Sequence, residues 1–341
     1  MTIEVLKPGA QSQLQDMGRW GHQRFGVPVG GAMDAWSHRV ANLLAGNEAD
    51  EATLEIVLMG PSLRFTAPAC IAICGADMSP RIGDEPVPMH RRVWVAAGTQ
   101  LDFGRRMSGL RSYLAVRGGF GVAPVMGSRS TFVRGGFGGF EGRALRKGDV
   151  LPLGQGAGGA ARPGDGLGAA GRPWSAAPLD PGVPEPAGVL PPAAADAVVT
   201  LRVVRGEHWG AFPPEMQAQF SQAVYRLSPQ SDRMGYRLQG PALLRSSAAE
   251  LISEGVAFGT VQVPPDGQPI VLMAERQSAG GYPKIAHIAS VDLPLLAQVA
   301  PQQGLRFQAI ALETAQALYL DREHRLAHLR DALAAPKEKT A

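Results

Sequence analysis

Cysteine is nearly absent from this chain. Only Cys70 and Cys74 occur in 341 residues, in the run ACIAICGAD. Four positions apart on a strand, they share one face among apolar neighbours. That reads as two buried thiols rather than a disulfide framework, a redox pair or a metal site, and it fits a reducing, cytoplasmic setting. Lysine is almost as scarce, at positions 7, 147, 284, 337 and 339, so the positive charge is nearly all arginine and the net charge is only +3. With no lysine-rich run and no basic–aromatic stripe, no nucleic-acid partner is predicted. No apolar run approaches the ~20 residues of a membrane helix. The N-terminus goes straight into charged and polar residues, so neither a membrane span nor a signal peptide is predicted.

Several chemistries lack their motifs. There is no G-x-x-x-x-G-K-[ST] phosphate loop and no G-x-S-x-G nucleophile elbow. His22, His38, His90, His208 and His287 are scattered, while His324 and His328, four apart, lie among Arg and Glu on a helix face that reads as solvated. No metal site is predicted.

Glycine (43) and proline (28) are abundant, and hydrophobic residues (45%) are frequent enough for a real core. Short apolar runs separated by turn signals recur: LEIVLMGPSLRF, the cysteine run, RSYLAVRGGFGV, then LRVVRGEHW, GYRLQGPALL, VAFGTVQVP, QPIVLMAE and IAHIASVDLP. Strands of four to eight residues at this spacing predict a mainly all-β protein, barrel or sandwich. The length allows about two domains. The boundaries read as an N-terminal β domain over 1–153, a Gly/Ala/Pro-rich linker or loop over 154–197, a second β domain over 198–312, and a C-terminal helix and tail over 313–341. Gly154, Gly156 and Gly159 match G-x-G-x-x-G formally, but no helix follows, so the dinucleotide reading fails. A faint echo links the halves, Asp16-Met17-Gly18-Arg19 with Asp232-Arg233-Met234-Gly235, and Gly60-Pro61 with Gly240-Pro241. It predicts two related domains whose glycine-rich Asp/Arg loops face each other across a cleft.

The densest stretch is QDMGRWGHQRFGVPVGGAMDAWSHRVANLLAGN, residues 15–47, which also holds both asparagines of the chain. It reads as a polar glycine loop feeding a helix, with Asp34 as N-cap and Gly46 as stop. Two readings stay open, a shaped site and a turn-rich approach to a β-barrel. In the first, Asp16, Arg19 and, from AERQSAGGYPK, Gln277 are candidate catalytic residues. Candidate substrate-binding residues come from the same stretch (Gly30, Gly31, Asp34) and from polar islands at strand ends. These are Asp77; Arg111 and Tyr113 on one strand face; Ser128, Ser130 and Thr131 beside Arg129; Asp232 and Arg233; Glu254, Gln262 and Gln268; and Gly280, Gly281, Tyr282 and Lys284. Hydroxyls, arginines and free glycine N–H groups form a nest for an oxyanion, and this lining suits a small amide or carboxylate. Taken singly, each island also reads as ordinary turn capping.

Together with GPSLRF, GAD, RSYLAVRGGF, GSRSTFVRGGFGG, SDRMGYRLQGP and SEGVAFGTVQVPPDGQP, these segments resemble the allophanate hydrolase subunit 2 family. That family also covers the C subunit of 5-oxoprolinase and the carboxyltransferase region of urea carboxylase. The resemblance spans nearly the whole chain outside the linker and tail. It implies two cyclophilin-like β-barrel domains with a few short helices. One departure is visible: the family usually reads Asp-Arg-Gln-Thr-Thr-Gly-Gly-Tyr, and here the run is Glu275-Arg276-Gln277-Ser278-Ala279-Gly280-Gly281-Tyr282, with a hydroxyl lost at Ala279. The resemblance implies the C subunit of an ATP-dependent 5-oxoprolinase, which opens the lactam of 5-oxoproline to glutamate with 5-oxoprolinase subunits A and B as partners. It leaves open which subunit binds ATP. It also implies two alternatives. One is a biotin-dependent carboxyltransferase acting on urea or a related amide, with biotin supplied by a partner, since no Met-Lys-Met carrier sequence is present. The other is a non-catalytic regulator that binds a protein resembling the B subunit.

Overall fold

Residues 1–155, 172–176, 183, 197–246 and 251–334 are described by a computed structural model of the chain. They fall into two compact units, one drawn from Met1–Met17, Ala35–Val189 and Asp321–Ala341, the other from Gly18–Asp34 and Leu190–Leu320.

The first unit holds β1 (Thr2–Lys7), β2 (Gln11–Gln15), helix α1 (Ala35–Ala45), β3 (Thr53–Val57), β4 (Ser62–Phe65), β5 (Ala69–Asp77), β6 (Arg81–Ile82), β7 (Glu85–Pro86), β8 (Arg92–Val95), β9 (Gln100–Asp102), β10 (Ser108–Val116), β11 (Val150–Pro152) and β12 (Trp174–Ala176). They form two six-stranded antiparallel sheets, in the orders β11-β1-β4-β9-β6-β7 and β12-β8-β5-β10-β3-β2. Strand alternation decides what each face of the second sheet meets. Leu14, Leu54, Leu114 and Ile73 point into the core with Ile3, Val5, Leu63 and Phe65 of the first sheet. The register Gln13–Glu55–Tyr113–Cys74 belongs to the opposite face. Helix α1 lies on that face, against β5 and β10. It starts after Asp34 and stops as the sequence predicts: Gly46 takes φ +86° and its N–H reaches the Leu43 carbonyl at 3.1 Å.

The second unit contains β13 (Val199–Arg205), helix α2 (Pro214–Gln222), β14 (Tyr225–Leu227), β15 (Gly235–Gln239), β16 (Glu254–Gly255), β17 (Thr260–Gln262), β18 (Ile270–Leu272), β19 (Ala279–Gly280), β20 (Lys284–Ile288), helix α3 (Leu293–Ala297) and β21 (Gly304–Ala309). Seven of its strands close a barrel, β13-β20-β17-β18-β15-β14-β21, and β16 pairs with β19 as a separate ribbon. Every described pairing in the barrel is antiparallel except β13 with β21. Leu201, Val261, Val271, Ile285 and Phe307 fill the interior, and Phe220 of α2 stacks on Phe307 with ring centroids 4.5 Å apart. A final helix, α4 (Leu312–Ala334), ends the described chain. No described helix is long and apolar enough to cross a membrane. The mainly β class expected from the turn-separated strands is what the chain adopts.

Two features depart from a division into contiguous stretches. Residues 18–34, read as part of the N-terminal domain, form a strap bonded to the barrel. Gly30 N–H donates to the Ala274 carbonyl at 3.0 Å, Arg233 Nη2 to the Gly31 carbonyl at 2.6 Å, and Ser278 Oγ to the Gln23 carbonyl at 2.9 Å. Gln298 Nε2 reaches Asp34 Oδ2 at 2.7 Å, and Met33 is buried in the barrel core. The strap folds tightly on itself at Gly18, where φ is +88° and a Cβ would sit 2.8 Å from the Val29 carbonyl oxygen, so only glycine fits. The second departure is β12, which lies inside the stretch read as a linker yet pairs with β8 through Trp174, Ser175 and Ala176. The rest of that stretch, Gly156 and Gly159 included, and the polar tail from 335 onward lie mostly outside the described residues. The echoed motifs occupy different places, since Asp16 follows β2 whereas Asp232 precedes β15.

Candidate functional site

The barrel unit carries a concave groove of 310 Å³. Gln23 and Val29 of the strap form one side. Arg276, Gln277 and Ser278, Glu207 after β13, His287 of β20 and the Gly255–Ala257 backbone form the rest. Gln277 is exposed, and Arg276 is half-buried. Arg276 donates from Nε to the Val256 carbonyl at 3.3 Å and from Nη1 to the Met273 carbonyl at 3.5 Å, and its guanidinium lies 6.0 Å from the Phe258 ring centre. Burial pushes its pKa below the ordinary arginine value. His287 is held at both ring nitrogens, by Glu207 Oε2 at 2.9 Å and by Thr260 Oγ1 at 3.2 Å. Burial pushes the Glu207 carboxyl up. The hydrogen bond from His287, a backbone N–H and the nearby His287 and Lys284 charges outweigh that and hold it below its usual range.

The remaining barrel candidates divide into three groups. Gln262, Gln277 and Gly280 meet at the ribbon: Gln262 Nε2 bonds the Tyr282 carbonyl at 3.1 Å, and a Cβ at Gly280 would lie 2.8 Å from Gln262 Nε2 and 3.4 Å from Gln277 Nε2. Glycine here leaves room for the two amides. Lys284 and Glu254 pair at 2.8 Å, with the Lys284 hydrogen bond holding the Glu254 carboxyl low, and Gly281 follows the ribbon within 3.2 Å of the Leu251 carbonyl, measured from where its Cβ would be. The third group serves the backbone. Asp232 Oδ1 accepts the N–H groups of Met234 and Gly235, Gln268 bonds both N–H and carbonyl of Gly240, and Arg233 joins Glu275 and the strap at Gly31. Tyr282 and Gln268 line a separate groove of 550 Å³. Arg19, Gly30, Gly31 and Asp34 all lie on the strap, with the Arg19 side chain buried and its N–H bonded to the Val29 carbonyl.

In the first unit, Asp16 is a clamp. Its carboxylate accepts Ser128 Oγ at 2.7 Å, Ser130 Oγ at 2.5 Å and the Arg129 N–H at 2.5 Å, while its own N–H donates to Ser130 Oγ. Thr131 is tied to the Leu14 carbonyl from both N–H and Oγ1. The serine-rich island does gather at Asp16, but it spends its hydroxyls on that carboxylate. Asp16→Ala would leave two buried hydroxyls and an N–H without their acceptor. It should cost about 2 kcal/mol of stability, read as a lowered urea midpoint for unfolding, even where activity is also lost.

Arg111 and Tyr113 belong to a different, wholly buried polar face. The Tyr113 hydroxyl donates to Glu55 at 2.7 Å, Arg111 Nε stands 3.8 Å from Glu55, and His38 of α1 bonds Thr53 Oγ1 at 2.8 Å with its ring edge-on to Tyr113. Gln13, next to Glu55 in register, is fully buried, and neither atom of its amide has a partner among the described residues. Asp77 lies apart, at the end of β5, where it caps a turn through the Ser79 N–H.

Residues 25–309 match the family of the carboxyltransferase domain, subdomains A and B. The chain belongs to this carboxyltransferase-domain family. It is 38% identical over 316 residues to a protein named as the C subunit of 5-oxoprolinase from Escherichia coli, covering 92% of this chain and 93% of that one. It is 34% identical over 330 residues to the protein of the same name from Haemophilus influenzae, covering 95% and 98%. Among solved structures, the urea amidolyase of K. lactis superposes with a TM-score of 0.84 at 28% identity, over 96% of this chain but only 20% of that much longer one.

In this carboxyltransferase domain the groove residues from Val29 to His287 fall inside the matched span, and Gln23 lies just ahead of it. The sequence points to Gln277 of that groove and not to Arg276, Glu207 or His287. Spacing could not have joined Glu207, Thr260 and His287; strand register sets Thr260 opposite His287, and Glu207 reaches the ring from the turn after β13. The buried polar face did leave a signal: glutamines at 11, 13 and 15 alternate at strand period in QSQLQ.

Proposed function

We propose that this chain is the C subunit of a bacterial ATP-dependent 5-oxoprolinase, opening 5-oxoproline to glutamate together with subunits A and B. The observation that carries the reading is the match to the two C-subunit relatives along nearly the full length of both partners. The groove agrees with it chemically. A lactam carbonyl gains negative charge when its carbon is attacked, and the exposed Gln277 amide beside a guanidinium supplies donors for that charge. The two cysteines, buried as thiols with no disulfide between them, fit a reducing compartment, the cytoplasm.

ATP does not fit this groove. A triphosphate calls for several cations and backbone donors, and Arg276 is the one arginine or lysine among the lining residues, which also include the acid Glu207. This groove is therefore not the nucleotide site, and ATP is used by the assembled complex. A second reading, transfer of a carboxyl group from a partner's biotin to urea or another amide, is favoured by the family's description and by the likeness to urea amidolyase.

The deciding experiment mixes the purified chain with subunits A and B, 5-oxoproline and ATP. Glutamate should form, and omitting this chain should abolish it. No glutamate from the complete mixture rejects the first reading, and carboxylation of urea in the presence of carboxybiotin supports the second.

A further inference from the structure

Two of the arginines drawn out of water in the barrel unit sit on acids. Arg202 bonds Asp292 and Arg233 bonds Glu275. Arg276 differs from these two. Among the described residues it touches only two backbone carbonyls, at 3.3 and 3.5 Å, and no carboxylate. A guanidinium offers five donors in a planar fork. Partly desolvated and without a counter-charge, it is an unfavourable arrangement unless an anion completes it. The Phe258 ring centre lies 6.0 Å from the fork, and Arg276 lines the groove. The same groove presents one acid, Glu207, 59% exposed and anchored by His287. The support behind His287 works in either protonation state. Thr260 Oγ1 accepts the Ala257 N–H at 3.0 Å, and it can still donate its own hydrogen to a neutral Nδ1 or accept from a protonated one. Glu207 therefore stays aimed as an acceptor. The volume of 310 Å³ is at the small end for ligand clefts, which run from about 300 to 1,000 Å³.

We infer that this groove binds a small ligand bearing a carboxylate and an N–H close together, with Arg276 taking the carboxylate and Glu207 the N–H. The inference deepens the 5-oxoprolinase reading and rests on it for the choice of ligand, since a lactam derived from an amino acid carries both groups. Urea carries no carboxylate and leaves Arg276 unmatched.

The test is calorimetric titration of the full chain with four probes: 5-oxoproline, 2-pyrrolidinone (no carboxylate), cyclopentanecarboxylate (no N–H) and urea. 5-Oxoproline should bind at least about tenfold more tightly than either single-group probe, as expected for losing a charge-assisted hydrogen bond. Arg276→Gln should weaken 5-oxoproline about ten- to a hundredfold while leaving 2-pyrrolidinone unchanged. Glu207→Gln should weaken 5-oxoproline but not cyclopentanecarboxylate. Thermal melts check that the variants fold. Where Arg276→Gln does not fold, Arg276→Lys carries the test, keeping the charge, losing the fork and weakening 5-oxoproline by a smaller factor. Equal affinity for 5-oxoproline and 2-pyrrolidinone, an unchanged affinity in the Arg276 variant, or no saturable binding of 5-oxoproline overturns the inference. The assembled-enzyme assay separates the two ideas. Normal glutamate production with Arg276→Gln sinks the groove assignment and leaves the 5-oxoprolinase reading intact. Selective binding without turnover by the complete complex sinks the 5-oxoprolinase reading and leaves the groove assignment.

Discussion

Arg233→Ala should destabilise the barrel unit by about 3–5 kcal/mol, the usual result of removing one partner from a buried ion pair. Arg233 and Glu275 are 8% and 7% exposed and bonded at 2.5 Å, so the substitution strands a carboxylate away from water. It also cuts the 2.6 Å bond from Nη2 to the Gly31 carbonyl, one of the few ties between strap and barrel. The pair Lys284–Glu254 provides the contrast. Glu254 is exposed there although Lys284 is buried, so the carboxylate already faces water and Glu254→Ala should lower the urea midpoint less than Arg233→Ala does. Two measurements check the prediction. The urea midpoint should fall without a change in slope, and the Gly30 amide, bonded to the Ala274 carbonyl, should lose hydrogen-exchange protection first. Because Gln23 and Val29 line the groove, a loosened strap should raise KM more than it lowers kcat. The double variant Arg233→Met, Glu275→Leu should regain most of the stability, since no uncompensated charge remains. A loss below about 1 kcal/mol for Arg233→Ala would show that the pair does not hold the strap.

That strap also marks where the sequence stops being legible. Strand class is readable because turn residues and apolar runs are local, and helix α1 is readable from Asp34, its apolar spacing and Gly46. What residues 18–34 pack against is not local. Their hydrogen bonds go to Ala274, Arg233, Ser278 and Gln298, more than 200 positions away, and nothing in a glycine-rich loop encodes its distant partner. β12 is hidden for another reason. Trp174-Ser175-Ala176 is a three-residue edge strand in Gly/Ala/Pro-rich chain, too short for any period to show. Among candidate site residues, composition marks polar islands but not what each side chain bonds. Ser128 and Ser130 beside Arg129 look like part of an oxyanion nest in the sequence, and in the structure their hydroxyls bond Asp16, itself read as a catalytic candidate. Arg276 looks like one arginine among many and is the one that lines the groove, with no ion pair among the described residues.

Acid should unfold the first unit earlier than its carboxylates alone would dictate, and the cause is His38. Burial pushes its pKa down from 6.5 to about 4, against the pull of Asp16 and Glu55 and with a small contribution from Arg39. The ring is fully buried, Nδ1 bonds Thr53 Oγ1, and Nε2 has no partner among the described residues, so a proton there would be poorly solvated. The sign follows from proton counting. Between pH 6.5 and about 4 the unfolded chain holds a proton on His38 that the folded chain refuses, so stability falls as pH falls across that window. Above 6.5 both states are neutral and below about 4 both are charged, so the His38 contribution is flat on either side. A shift of this size corresponds to about 3 kcal/mol over the window. Carboxylates with lowered values behave differently. Asp149, held down by Arg143, and Glu207 add their own losses only near and below their ordinary 3.8 and 4.5. Urea unfolding at pH values of about 7, 6, 5 and 4.5 should therefore show a steady decline in the wild type. His38→Gln, which keeps a polar partner for Thr53, should flatten the slope whatever it does to stability at neutral pH. Parallel slopes for the two proteins across that range would mean that His38 is protonated in the folded chain, and that the polar face of Glu55, Tyr113 and Gln13 supplies the charge stabilisation this geometry withholds.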